Sequence, residues 1–221
     1  MLANAKQWHQ AISPSSLATR THLNEIHHLQ HLLLLCAQCT ELSFSQPSDN
    51  QARIDGWAEL YTQLQAWKQN FQSEATITAL LTSPIGSMSS YNASASRTGT
   101  PISFPIHIFT SRLSFYCAFL DHLTCLLLIQ SRPRQINDTA EKSLKTAPWR
   151  AVQLCGLSLS NAVLWSWDPV VVAALIFAGS LLTYAGQQTE LSEHLQKLEK
   201  MTGWVLKQDI EKLEEFWKVS Y

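Results

Sequence analysis

No charged side chain stands between Asp168 and Glu190. Such a stretch has to be withdrawn from water, into a protein core or into lipid. Asp168-Pro169 supplies a helix start, an aspartate cap followed by proline in the first turn. The spacing predicts a helix from Val170 to about Ala185, closed by Gly186 and the polar Gln187-Gln188. At 1.5 Å per residue that segment reaches about 24 Å, short of a hydrocarbon core of about 30 Å. Gly179, Ser180 and Thr183 interrupt the run, and no lysine or arginine flanks it, unlike a membrane anchor. A buried core helix is therefore expected, with a membrane anchor over residues 169–189 as the competing reading.

The rest of the chain reads as helix. Ser13-Pro14 is a second cap-and-proline start. Apolar residues then recur at Leu23, Ile26, Leu29, Leu32, Leu33 and Cys36, predicting a helix over 17–42. Ile54, Trp57, Leu60, Tyr61, Leu64 and Trp67 form one stripe of a helix over 50–71, and a short turn or loop is expected over 75–81. Residues 82–105 hold seven serines, three prolines and two glycines without periodicity, which predicts a long Ser/Pro-rich flexible loop. A largely buried helix is expected from Ile106 to Gln130, since Arg112 and Asp121 are its only full charges. After a polar connection over 132–146, Ala147-Pro148-Trp149 opens a helix reaching about Val163. Leu191, Leu195 and Leu198 stripe a helix over 189–201 that Gly203 stops. An amphipathic helix over 205–220 closes the chain. Strand alternation is absent. The expected fold is all-α: an irregular bundle of about seven helices with one long polar loop, forming a single domain over 1–221.

Charge is scarce and unevenly placed. Lysine, arginine, aspartate and glutamate make up 15% of the 221 residues, against about 25% in an ordinary soluble domain. Of the 33 charged residues, 12 lie in 187–221, which leaves residues 1–186 short of polar cover. That shortage predicts apolar helix surface left for a partner. The net charge of −1 lacks the basic surplus of a nucleic-acid binder.

Catalytic and metal chemistry find little purchase. The chain has no Gly-rich phosphate loop and no Gly-x-Ser-x-Gly elbow. No Asp-rich helix motif suited to magnesium occurs. The five cysteines are odd in number and irregularly spaced, which argues against a disulfide scaffold and for a reducing compartment. Cys36-Ala37-Gln38-Cys39 follows four leucines late in a helix. A redox pair belongs at the start of a helix that follows a strand, and a zinc half-site needs two further ligands. His27, His28 and His31 lie upstream, but neither His28 nor His31 is at i, i+4 spacing from Cys36. Plain helix cysteines are expected, with no catalytic, cofactor-binding, metal-binding or DNA-binding residue. The eight tryptophans are expected mainly as core anchors, a ligand pocket or interface being the alternative. Two glycosylation triplets (Asn92-Ala93-Ser94 and Asn137-Asp138-Thr139) and two Ser/Thr-Pro dipeptides (Ser83-Pro84 and Thr100-Pro101) read as chance occurrences.

Several segments in order carry a likeness. They are Trp57-Ala58-Glu59-Leu60-Tyr61 through Trp67, Ser103-Phe104-Pro105-Ile106-His107-Ile108-Phe109, and Pro148-Trp149-Arg150-Ala151-Val152-Gln153-Leu154-Cys155-Gly156-Leu157. Trp167-Asp168-Pro169, Gln187-Gln188, Thr202-Gly203-Trp204 and a closing helix ending in Trp217 follow. Over residues 50–221 this resembles the helical regulatory region of fungal-specific transcription factors, the region C-terminal to their zinc binuclear-cluster DNA-binding domain. The motif positions are Trp67, Pro105, Trp149, Cys155, Gly156, Asp168, Pro169, Gly203, Trp204 and Trp217. The resemblance implies a nuclear domain acting in RNA polymerase II transcription control, often of metabolic genes. It would work through a protein partner, self-association or a small metabolite. Two departures stand out. The six closely spaced cysteines of the zinc cluster are not in these residues, so no direct nucleic-acid binding is expected of them. The helix after Asp168-Pro169, basic in many such proteins, here reads Ala178-Gly179-Ser180-Leu181. A membrane-associated protein anchored by 169–189 and a small-molecule-binding helical domain remain as alternatives.

Overall fold

The computed structural model describes residues 14–44, 50–75, 104–107, 109, 111–136, 143–161 and 168–219, with side chains described from residue 24 in the first helix and up to residue 71 in the second. These residues form seven helices and no strand: α1 (Pro14–Phe44), α2 (Asn50–Ala75), α3 (Arg112–Gln130), α4 (Ala147–Ser160), α5 (Pro169–Gly179), α6 (Ala185–Thr202) and α7 (Lys207–Val219). The all-α expectation holds. The 75–81 turn beyond Ala75, most of the 82–105 loop, both glycosylation triplets, both Ser/Thr-Pro dipeptides, the Ser13 cap, and Trp8, Trp165 and Trp167 lie outside the described residues.

Packing runs as a chain of neighbours. α1 lies against α2 and α3, α3 against α4, α4 against α5, and α5 meets both α6 and α7. Leu32, Leu35 and Cys39 of α1 are fully buried, as are Phe115, Phe119, Leu126 and Leu128 of α3. α3 is the one described helix long and apolar enough to cross a membrane, and more than half of its apolar stretch is buried against the rest of the protein. Trp57 fixes α2 on α3 by donating its indole N–H to the Leu128 carbonyl at 2.8 Å.

Several helix ends shift by a few residues, and two boundaries differ from expectation in kind. The helix expected from Ile106 begins only at Arg112, where the Ser111 hydroxyl caps the Ser114 amide. The preceding segment is held by α4 instead. The His107 amide donates to Ser160 Oγ at 3.2 Å, the His107 carbonyl accepts from Asn161 Nδ2 at 2.8 Å, and the ring pairs with Gln153 at 3.0 Å. Tertiary partners thus replace the i→i+4 bonds that a longer helix would supply.

The second correction concerns the uncharged run. It is not one helix to Ala185. α5 stops at Gly179, the Leu181 and Leu182 amides donate hydrogen bonds to the Ala178 and Gly179 carbonyls at 3.0 and 3.2 Å, and α6 starts at Ala185. Gly186, Gln187 and Gln188 therefore open α6 rather than close α5. An 11-residue helix is about 16 Å long, far too short for the membrane anchor considered over 169–189. Space explains the glycine at this stop. A Cβ on Gly179 would lie 2.8 Å from Leu191 Cδ2 and 3.3 Å from Leu213 Cδ1, so the chain passes where α6 and α7 converge.

Pro105 and Gly156, distant in sequence, meet on the α4 surface. A Cβ at Gly156 would stand 2.5 Å from the Pro105 carbonyl oxygen and 2.8 Å from its ring. Backbone cannot yield as a flexible side chain does, so Gly156→Ala is expected to cost about 3 kcal/mol. Urea denaturation of the purified variant checks this; a loss under 0.5 kcal/mol would mean that the 104–107 segment can lift off α4 freely.

Candidate functional site

Three helices meet around one carboxylate. Asp121 of α3 pairs with Lys68 of α2 at 3.1 Å and with Arg150 of α4 at 3.1 Å. Arg150 also donates from Nε to the Leu144 carbonyl at 2.7 Å, sits 3.0 Å from His122 Nδ1, and lies over the Trp149 ring. Lys68 Nζ is 3.1 Å from Cys125 Sγ. Each side chain is spoken for by another, as buried charges require. Burial alone would raise the Asp121 carboxyl, but Lys68 and Arg150 outweigh it and hold it below the usual carboxylate range. Burial pushes the His122 imidazole down to about 3, with the nearby Arg150 adding to the shift against the pull of Asp121. His122 is a neutral acceptor here, and the arrangement clamps α2, α3 and α4 together.

The same physics disarms the thiols. All five cysteines are free and buried. Burial pushes Cys39, Cys117 and Cys125 up to about 12 and raises Cys36 and Cys155 as well. A thiol held protonated is a poor nucleophile and a poor metal ligand. Cys36 and Cys39 face the core with Leu32 and Leu35, whereas His27 and His31 stand on the exposed side of α1. The thiols and imidazoles thus point apart. Among the described residues, no three His, Cys, Asp or Glu side chains converge as a metal-ligand set.

Two open concavities lie at the C-terminal end. A cleft of 630 Å³ between α6 and α7 is lined by Gln188, Ser192, Gln196, Glu214, Trp217 and Lys218, among others. Ser192 donates to Glu214 at 2.8 Å within it. A second hollow of 330 Å³ shares Gln188 and Trp217 and is walled by Pro148, Leu181 and Phe216. Trp217 therefore separates two surface depressions, its indole N–H donating to the Gly179 carbonyl at 2.9 Å. Tyr184 and Phe216 are about half exposed beside them. Their partly apolar lining suits an amphipathic partner.

The motif positions are scattered, not gathered into one pocket. Trp67 is buried, stacks on Phe71 and donates to the His28 carbonyl at 3.0 Å. Pro105 packs on Gly156, and Cys155 is fully buried beside it in α4. Trp149 is 42% exposed and covers the ionic cluster. Asp168 caps α5 by accepting from the Val170 amide and also accepts from the Tyr116 hydroxyl, with Pro169 next in line. Gly203 takes φ 74° as the left-handed C-cap of α6, which is why glycine stands there. Trp204 is half-buried after it. The residues that sequence reading missed are Lys68, Asp121, His122 and Arg150. Asp121 and Arg112 were visible as the only full charges of an apolar helix, but the partners of Asp121 come from other helices.

Neutral burial of His122 has a consequence for pH. His194, pushed down to about 4 by burial and Lys197, acts the same way. Between the ordinary histidine value near 6.5 and these lowered values, the unfolded chain binds more protons than the folded one. Stability is therefore expected to fall as pH drops from about 6.5 to 4. Asp121 adds its loss only below about 4, where the unfolded carboxylate takes up a proton. Urea midpoints across that range check this: the slope should flatten in His122→Gln, and a flat wild-type profile would contradict the neutral imidazole.

Compared with known protein families, with curated proteins and with solved structures, the chain matches none.

Proposed function

We propose that this chain is a helical regulatory domain of the kind found in fungal-specific transcription factors. By the same resemblance it acts in the nucleus on RNA polymerase II transcription, with the control of metabolic genes as its setting, and it works through a protein partner. The observation that carries the reading is the ordered run of motif segments from Trp57 to Trp217. It is supported by the structural use of those positions. Asp168 and Pro169 start a helix, Gly203 ends one, Gly156 admits Pro105, and Trp217 ties α7 to α5. Residues spent on joints and caps define a scaffold, so the activity belongs to its surface.

Tethering the full chain to an unrelated sequence-specific DNA-binding domain upstream of a reporter tests the reading. Reporter output is expected to shift up or down relative to the tether alone; unchanged output would overturn it. The partner is expected at the two depressions around Trp217. Tyr184→Glu with Phe216→Glu should abolish the reporter effect while changing stability by less than about 0.5 kcal/mol, as for exposed positions in general. Full reporter activity in that variant would remove the partner from this face.

A further inference from the structure

We propose that His27 and His31 chelate a divalent transition-metal ion of the zinc, nickel or copper type on the exposed face of α1. The two lie one helical turn apart, four residues along α1, and both side chains are exposed. Side chains at that spacing have Cβ atoms about 5–6 Å apart. Two imidazole nitrogens on one tetrahedral ion, each about 2.0–2.1 Å from it, stand roughly 3.3 Å from one another. Small rotamer changes bridge the difference. The helix backbone, already ordered, spares the ion most of the cost of assembling a chelate.

The surroundings favour the same spot. His27 and His31 line a groove of 250 Å³ with Asn24, His28, Trp67 and Asn70. Asn24, three residues before His27 on the same face, is exposed and lines the groove too. His28 has a different task. Its ring meets Trp67 and Phe71 edge-on at 6.3 and 5.5 Å, and its carbonyl accepts the Trp67 indole N–H. Those contacts hold the α1–α2 joint and leave His27 and His31 as the chelating pair. Imidazole suits zinc, copper and nickel over magnesium or calcium, which take oxygen ligands. Two protein ligands leave coordination positions to water, so the site is open. It is independent of the transcriptional reading.

The test is calorimetric titration of the metal-stripped full chain with zinc chloride or nickel chloride alone, in a non-coordinating buffer. One ion per chain is expected, with micromolar affinity, and the ion should raise the thermal midpoint. His27→Gln with His31→Gln should abolish both effects and leave the far-ultraviolet circular dichroism unchanged, because glutamine is a good helix former at exposed sites. Each single variant should weaken binding at least tenfold. Absence of saturable binding below millimolar metal would overturn the proposal. So would undiminished binding in the double variant, which would send the ion to other ligands such as the thiols.

Discussion

Asp121→Ala is expected to lower the unfolding free energy by about 3 kcal/mol. The carboxylate compensates two cations from two other helices, Lys68 on α2 and Arg150 on α4. Removing it leaves both ammonium and guanidinium in a half-dry joint. Breaking a buried pair in this way costs about 3–5 kcal/mol. The lower end applies because a fifth of the Asp121 side chain still touches solvent. Arg150 keeps the Leu144 carbonyl and His122, whereas among the described residues Lys68 keeps the weak acceptor Cys125. The loss should therefore fall hardest on the attachment of α2. Urea denaturation measures the total, and hydrogen exchange locates it: amides of α2 should lose protection before those of α4. Asp121→Ala with Lys68→Met should recover part of the stability, since a methionine needs no counter-charge. A single variant as stable as the parent would mean that water reaches the joint and screens the pair.

Trp217→Ala is expected to cost about 3–5 kcal/mol, the usual range for deleting a buried tryptophan. α7 rests chiefly on α5 and α6 among the described residues, and Ile210, Leu213 and Trp217 are its buried stripe. Trp217 is the largest of the three and the one that carries a hydrogen bond into α5, to the Gly179 carbonyl. Truncation also merges the two depressions it separates. Trp217→Phe keeps most of the area and drops the hydrogen bond, so it should cost much less, about 1–2 kcal/mol. The order of the two variants in chemical denaturation is the check. Equal costs would assign the effect to the hydrogen bond, and a negligible cost for alanine would show that α7 docks through Ile210 and Leu213 alone.

How far the sequence reaches is clearest at particular elements. The starts of α4 and α5 were legible because the signal is local: Pro148 in the first turn of α4, and Asp168 before Pro169 in α5, needing nothing from the rest of the chain. Gly203 was legible for the same reason, as a helix stop in the left-handed region. The start of α3 was not. Residues 106–111 have the apolar spacing of a helix, but Gln153 and Ser160 of α4 and its capping residue Asn161 bond His107 instead. The end of α5 was not legible either, since it depends on where Leu191 and Leu213 arrive. The ionic cluster was half visible: a lone Asp121 in an apolar helix demands partners, but pairing it with Lys68 and Arg150 takes three helices brought together.

The sequence by itself determined the helical class, the aspartate-and-proline start at Asp168-Pro169, the stop at Gly203 and the burial of Val171, Val172, Leu175 and Ala178 within the uncharged run. Each follows from a preference that acts over one or two turns. Tertiary structure alone decided that this run is a short helix, a turn and the start of another helix, that Cys36 and Cys39 face the core while His27 and His31 stand exposed, and that Asp121 joins three helices. Those outcomes depend on which surfaces compete for the same space and the same hydrogen bonds, and such competition is settled only when distant segments meet.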